Sequence, residues 1–253
     1  MDPLLAFEDQ VVLVTGATGG IGSALAAAFA ARGAYVALVG TDQVRATAAA
    51  ARLGTETFAL AGDVSSVIQA EELVQAVLAR WGRLNVLVNA AGVITRVPSA
   101  ELNEADWDRV LDVNLKGTWA MSRAAARLSM FAAGSGVILN VSSVRALVGT
   151  TAGYGAYAAS KAGVNGLTRQ LAIEWASHGL RVNAVALTTV ETPLTAGLLA
   201  DADRRAAIVA RTPLGRIATP DDVVGPALFL CSRAAAYVTG QVLYVDGGFT
   251  AWQ

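Results

Sequence analysis

Short valine-rich runs alternate with longer alanine-rich segments along almost the whole chain, and this alternation constrains the fold more than any other feature. VVLVT (11–15), YVALV (35–39), TFALAGD (57–63), LNVLVN (84–89), GVILNV (136–141), LRVNAVA (180–186) and QVLYV (241–245) are apolar at nearly consecutive positions. A strand with one wet face alternates polar and apolar residues, whereas a strand covered on both faces is apolar throughout. Helical periods fill the gaps: 20–32 up to Gly33, a segment to about Leu53, 66–80, 104–133 with a break near Asn114, 155–177 and 221–231. The order predicts an α/β fold: a doubly wound parallel sheet of about seven strands with helices on both faces. No linker rich in Pro, Gly or Ser, no charge block and no repeat interrupts it, so 1–253 is expected to be a single domain. Residues 188–218 contain two prolines and little strand pattern, and are expected to make a helical excursion over the substrate site.

Charge narrows the partners. A formal net charge of -1 offers no field to gather nucleic acid or an anionic membrane. Hydrophobic residues reach 54%, but they are spread through runs such as SALAAAFAA, none long enough for a bilayer. MDPLLAFEDQ has neither a basic start nor an apolar signal core, so a cytoplasmic location is expected. The one cysteine, Cys231 in ALFLC, is expected to be a buried thiol, and the one histidine, His178, a capping or surface residue. No metal site is expected from so few ligands.

Strand VVLVT runs straight into GATGGIG and then into a helix, with Gly16, Gly20 and Gly22 at the turn. Glycines let the backbone bend sharply and approach a pyrophosphate, while uncapped helix N–H groups attract the anion. This context predicts dinucleotide binding on a Rossmann-like sheet.

A second motif carries chemistry. Tyr157 and Lys161 are four residues apart, on one face of a predicted helix, whereas the fourth neighbour of Tyr154 is Ala158. A free phenol titrates near 10, so a neighbouring ammonium is expected to bring Tyr157 down towards working pH as a proton donor and acceptor.

Together these motifs resemble the short-chain dehydrogenase/reductase family. TGxxxGxG is matched by Thr15 to Gly22, NNAG by NAAG (89–92) with Ala90 in second place, and the family's serine and YxxxK by NVSS followed by Tyr157 and Lys161. Asp63, Asn114 in DVNLKG, and YVTGQVLYVDGG (237–248) fall in the same order, so the likeness covers nearly the whole chain. The resemblance implies that Ser143 holds the reacting oxygen, Tyr157 exchanges its proton, Lys161 binds the nicotinamide ribose, and Asn114 supports a proton relay. It implies cofactor contacts at Gly16, Thr18, Gly20, Ile21, Gly22, Thr41, Asp63, Val64, Asn89, Ala90, Gly92, Tyr157, Lys161 and Thr192. It also implies a homotetramer touching through the 104–133 and 155–177 helices.

Two places depart from the family pattern. In VGTDQVR, Gly40 and Thr41 take the positions where an acid selects NAD and a base selects NADP, leaving NAD(H) and NADP(H) both open, with Asp42 and Arg45 nearby. After the sixth strand, Leu187 and Thr188 replace the usual Pro-Gly. The loop between Ser143 and Tyr157 is one residue longer than is common in the family. Within the family, the chain resembles the sugar-acid dehydrogenases of the gluconate 5-dehydrogenase kind, which implies interconversion of a secondary alcohol and a ketone on a sugar acid or polyol. Arg96 and Arg145 follow two strand ends and are candidates to grip a substrate carboxylate. A ketone or 3-oxoacyl-carrier-protein reductase, and a dinucleotide-binding regulator without turnover, are the alternatives.

Overall fold

Strand β1 (Val11–Thr15) is buried at all five positions, and its side chains divide between two separate cores. Val12 and Val14 point into a layer with Leu25, Phe29, Leu139, Val185 and Val223, while Val11 and Leu13 point into one with Leu73, Leu87, Met121, Met130 and Ile138. Successive side chains of a strand face opposite ways, so an unbroken apolar run requires two covered faces.

The computed structural model, which describes residues 3–54 and 56–252, places this strand in a seven-stranded parallel sheet. Met1, Asp2, Thr55 and Gln253, which belong to the domain expected over 1–253, lie outside the described residues. The other strands are β2 (Tyr35–Gly40), β3 (Thr57–Ala61), β4 (Val86–Asn89), β5 (Gly136–Ser143), β6 (Leu180–Leu187) and β7 (Val242–Val245), in the order β3-β2-β1-β4-β5-β6-β7. The chain moves outward from β1 to β3, then crosses back to lay β4 on the other side of β1. That reversal opens a crevice at the carboxyl ends of β1 and β4, where ligands of doubly wound sheets collect.

Helices α1 (Gly20–Ala30), α2 (Gln43–Ala51) and α3 (Val67–Trp81) connect the first four strands. Asp42 and Ser66 cap α2 and α3, accepting backbone N–H groups of Arg45 and Gln69. The expected 104–133 helix is α4 (Glu104–Leu111), α5 (Gly117–Ala125) and α6 (Phe131–Ala133), joined by π-helical turns at Asp112–Lys116 and Ala126–Met130. The break foreseen at Asn114 is therefore a widened turn within a continuous helix. α7 (Gly155–Glu174) and α10 (Pro220–Cys231) flank the last strands.

Residues 188–218 carry two short helices, α8 (Ala196–Leu199) and α9 (Ala202–Ala210), and a parallel bridge from Val190 to Ala218 ties the two ends of the segment together. Two strand ends differ from expectation in ways that matter for the site. β3 stops at Ala61, leaving Asp63 in the following turn, and β5 continues to Ser143 because Ser142 and Ser143 pair in register with Ala186 and Leu187. Among the described residues no helix is long and apolar enough to cross a membrane.

Candidate active site

The glycine turn after β1 fits a dinucleotide by what it leaves out. Gly16 has φ +65, and a Cβ there would lie 2.8 Å from the Ala90 carbonyl oxygen; one at Gly22 would overlap the Gly16 carbonyl. The Thr15 hydroxyl accepts the N–H groups of Ala90 and Ala91, both at 3.1 Å, which locks this turn to the NAAG turn after β4. α1 begins at an N-cap, Gly19, that offers no side chain, so its first N–H groups have no side-chain cap to compete with a pyrophosphate. Thr192, distant in sequence, is brought to the same turn: a Cβ on Gly20 would meet its side chain at 3.3 Å.

Other expected cofactor residues divide into those facing the crevice and those with buried side chains. Thr18 crosses to Gly40, where its Cγ2 methyl fills the space of a missing Cβ, and Thr41 beside it is exposed. Asp63 is exposed, its Oδ1 held by the Ser65 N–H at 2.9 Å and hydroxyl at 2.8 Å. Val64 instead turns inward against Gly117, and Ile21 packs on the sheet core. Asn89 is buried too, its amide donating to Ser122 Oγ at 3.0 Å and Asn140 Oδ1 at 2.9 Å. That side chain braces the sheet rather than reaching the crevice.

Ser143, Tyr157 and Lys161 meet at the carboxyl end of β5. Ser143 donates to the Leu187 carbonyl at 3.3 Å and accepts the Arg145 N–H at 3.1 Å, while Tyr157 lies half-buried beside it on α7. Lys161 is buried; its Nζ donates to the Val141 carbonyl at 2.7 Å and lies 5.8 Å from the Tyr157 ring centre. Asn114 bonds Ser160, whose hydroxyl in turn donates to the Tyr157 carbonyl at 2.7 Å. A Cβ on Gly92 would sit 3.4 Å from Asn114 Oδ1 and 3.8 Å from Lys161 Nζ, so the NAAG turn closes over both. Ser142 turns away and donates to Asn165 at 2.6 Å, which fits a supporting residue.

The electrostatics correct one expectation. Burial is the largest influence on Tyr157 and pushes its phenol above its ordinary value; a hydrogen bond with Ser143, then Arg145 and Arg96, pull the other way. Burial also drives Lys161 down to about 8. In the protein alone, then, the downward pull comes from the serine and two arginines, while Lys161 Nζ donates to the Val141 carbonyl.

Sequence reasoning passed over Tyr154. It lines the pocket with Arg96, Ser143, Arg145, Tyr157, Thr188 and Leu194, and its hydroxyl accepts Arg96 Nε at 2.9 Å. A lone tyrosine without a lysine at helical spacing carried no signal; only the approach of the 93–99 loop reveals its partner. Leu187 is buried in the core, and Thr188 replaces the family glycine at the pocket wall. Cys231 is buried, with its thiol pushed up to about 12, and exposed His178 stacks on Phe131 at 4.2 Å.

Known proteins are similar to this chain along nearly its whole length. Residues 16–250 match the family described as enoyl-(acyl carrier protein) reductase. D-threitol dehydrogenase of Mycolicibacterium smegmatis is 42% identical over 247 residues, covering 96% of this chain and 94% of the relative. The 2-dehydro-3-deoxy-D-gluconate 5-dehydrogenase of Escherichia coli is 37% identical over 249 residues, covering 97% of each. Among solved structures, a gluconate 5-dehydrogenase from Burkholderia cenocepacia in complex with NADP and tartrate superposes with a TM-score of 0.95 at 33% identity, covering 99% of both chains. With the likeness unbroken from the glycine turn to the C-terminal segment, the chain belongs to the short-chain dehydrogenase/reductase family.

Proposed function

We propose that the chain interconverts a secondary alcohol and a ketone on a sugar acid or polyol, using NAD(H) or NADP(H). The observation that carries this reading is Ser143 and Tyr157 lining one pocket, with buried Lys161 Nζ 5.8 Å from the Tyr157 ring centre, beside a glycine turn with room for a pyrophosphate. When bound, a nicotinamide cofactor would supply the hydride for reduction of the carbonyl carbon and accept it in oxidation. Ser143 holds the reacting oxygen by a hydrogen bond. Tyr157 gives its phenolic proton to that oxygen in reduction and takes it back in oxidation. Lys161 and Asn114 hold the ribose side and the proton-exchange side of the site, with Gly92 against both.

The ribose end of the crevice admits NADP(H) in this reading. Gly40 places no carboxylate there, and one oxygen of Asp42 caps α2 by accepting the Arg45 N–H at 2.7 Å. We infer that 1–253 acts as one dinucleotide-binding and catalytic unit, with 188–218 over the substrate. A cytoplasmic homotetramer completes the reading, and sedimentation as a monomer at micromolar concentration would remove that last part.

The deciding experiment follows reduced-nicotinamide absorbance with each dinucleotide against sugar acids, polyols and simple ketones. Turnover of the acids or polyols supports the reading. Tight cofactor binding without turnover across the panel points to a regulatory dinucleotide sensor instead.

A further inference from the structure

Arg96 and Arg145 line the substrate pocket, Arg211 shares the Phe249 ring with Arg145, and among the described residues none of the three is ion-paired with a carboxylate. Arg145 is half-buried, its guanidinium held between two aromatic rings at 5.7 Å from the centre of Tyr154 and 5.6 Å from that of Phe249. Arg211, at the end of α9, approaches the same Phe249 ring at 4.9 Å. Arg96 comes from the loop after β4, with its guanidinium 5.7 Å from the Tyr154 ring centre and its Nε bonded to the Tyr154 hydroxyl. Withdrawing a guanidinium from water without a counter-charge is costly, and the like charge of Arg211 nearby adds to the cost for Arg145. A surface arginine could avoid that cost by turning outward. Arg145 is instead fixed by its rings and by an N–H bond to the Gly149 carbonyl at 3.3 Å.

Tyr154 is central to this cluster. The Val97 N–H donates to the Gly153 carbonyl at 3.0 Å, and Val97 bridges Tyr154 as a parallel strand pair would. Gly153 has φ +70, and a Cβ there would lie 2.6 Å from the Val97 carbonyl carbon, so the two loops meet backbone to backbone. The phenol thus reaches Arg96 from one loop while its ring supports Arg145 from another. Bonding Nε to Tyr154 leaves both terminal nitrogens of Arg96 without a protein acceptor among the described residues. A planar carboxylate presents two oxygens to such forks.

We propose that Tyr154 is the positioning residue of a carboxylate clamp formed with Arg96 and Arg145, selecting a hydroxy acid over the neutral polyol of the same skeleton. This rests on the dehydrogenase reading for what happens at the other end of the substrate. Ser143 and Tyr157 line the same pocket, so a carboxylate held at the arginines leaves the remaining carbon chain to present a hydroxyl to them.

Two measurements test the clamp. In turnover, gluconate is compared with sorbitol. Tyr154→Phe keeps the ring but loses the hydrogen bond to Arg96, so the ratio of the gluconate KM to the sorbitol KM should rise about five- to tenfold. Adding Tyr154→Phe to Arg96→Gln should cost little more than Arg96→Gln alone, since both remove one interaction. In binding, calorimetry on the NADP-loaded protein compares malonate with malonamide. Malonate should bind the wild type and weaken about tenfold or more in Arg145→Gln, a variant that does not depend on Tyr154 folding correctly. Equal binding of malonate and malonamide, or an unchanged gluconate-to-sorbitol KM ratio in Tyr154→Phe, overturns the clamp. Malonate bound only by the intact clamp, without turnover of any alcohol, keeps the clamp and sinks the dehydrogenase reading.

Discussion

The side-chain amide of Asn114 exchanges two hydrogen bonds with the backbone of Val93, accepting its N–H at 2.8 Å and donating to its carbonyl at 3.0 Å. An amide side chain here does what a neighbouring strand would do, and ties the loop that leads to Arg96 onto the π-helical turn. The Asn114 carbonyl meanwhile accepts the Thr118 hydroxyl at 2.7 Å, so the widened turn has its own internal support. Asn114→Ala strips Val93 of both partners and Ser160 of a donor, leaving buried polar groups unsatisfied. We expect a loss of about 2–4 kcal/mol in chemical denaturation. A loss below about 0.5 kcal/mol would show that water replaces the amide at no cost.

Tyr157→Phe should lower kcat about 10²- to 10⁴-fold, the usual range for removing a positioned proton donor. Cofactor affinity measured by fluorescence should stay within about threefold, because the ring and its packing remain. A variant that keeps wild-type kcat would move the proton chemistry to another residue.

Burial lowers Lys161 from its ordinary 10.5 to about 8, so over that window the unfolded chain holds the proton and the folded protein releases it. Stability therefore carries the full penalty below about pH 8 and recovers as pH rises towards 10.5. Lys161→Met should stabilise the cofactor-free protein by about 1–3 kcal/mol at neutral pH. Urea titrations across this range should show that gain shrinking as pH rises. A gain independent of pH would rule out desolvation of the ammonium as its cause.

Cofactor preference depends on a contact between two small residues. The Thr18 methyl occupies the space a Cβ on Gly40 would need, so Gly40→Asp alone should weaken both cofactors. Thr18→Ser removes that methyl, and the nearest remaining serine atom would lie 3.4 Å from the new Cβ. The pair Thr18→Ser with Gly40→Asp should then favour NAD over NADP about tenfold or more, by repelling the 2′-phosphate. Dissociation constants for the two cofactors decide it; an unchanged ratio would place 2′-phosphate recognition elsewhere.

At the start of α10, Asp222 accepts two bonds from Arg216 at 2.6 and 2.7 Å and the Thr219 N–H at 2.8 Å. The arginine first, and the Thr219 backbone next, hold its carboxyl well below the ordinary carboxylate range. A depressed folded value means the stabilisation is complete above about 3.8 and fades as pH falls towards the folded value. Asp222→Asn should cost up to about 1 kcal/mol near neutral pH, with Tm lower by about 2–4 °C per kcal/mol. The difference from wild type should narrow in acid, and calorimetry at several pH values would detect it if it did not.

Local pattern was enough to read the sheet, the phosphate turn and the Tyr157–Lys161 pair. Strands apolar at every position must lie between two layers, and a four-residue spacing puts two side chains on one face of a helix wherever that helix packs. Uncapped glycines between strand and helix carry their own geometry in the same way. Distances between remote segments had no such signature. Tyr154 and Arg96 lie 58 residues apart and meet only because two loops pair across the pocket mouth. The side chain of Asn89 braces the core, since its direction depends on what packs beneath β4. The proton balance at Tyr157 was also outside the reach of spacing. Burial, the hydrogen bond with Ser143 and the charges of Arg145 and Arg96 set it, and all of these arise only once remote segments pack around the site.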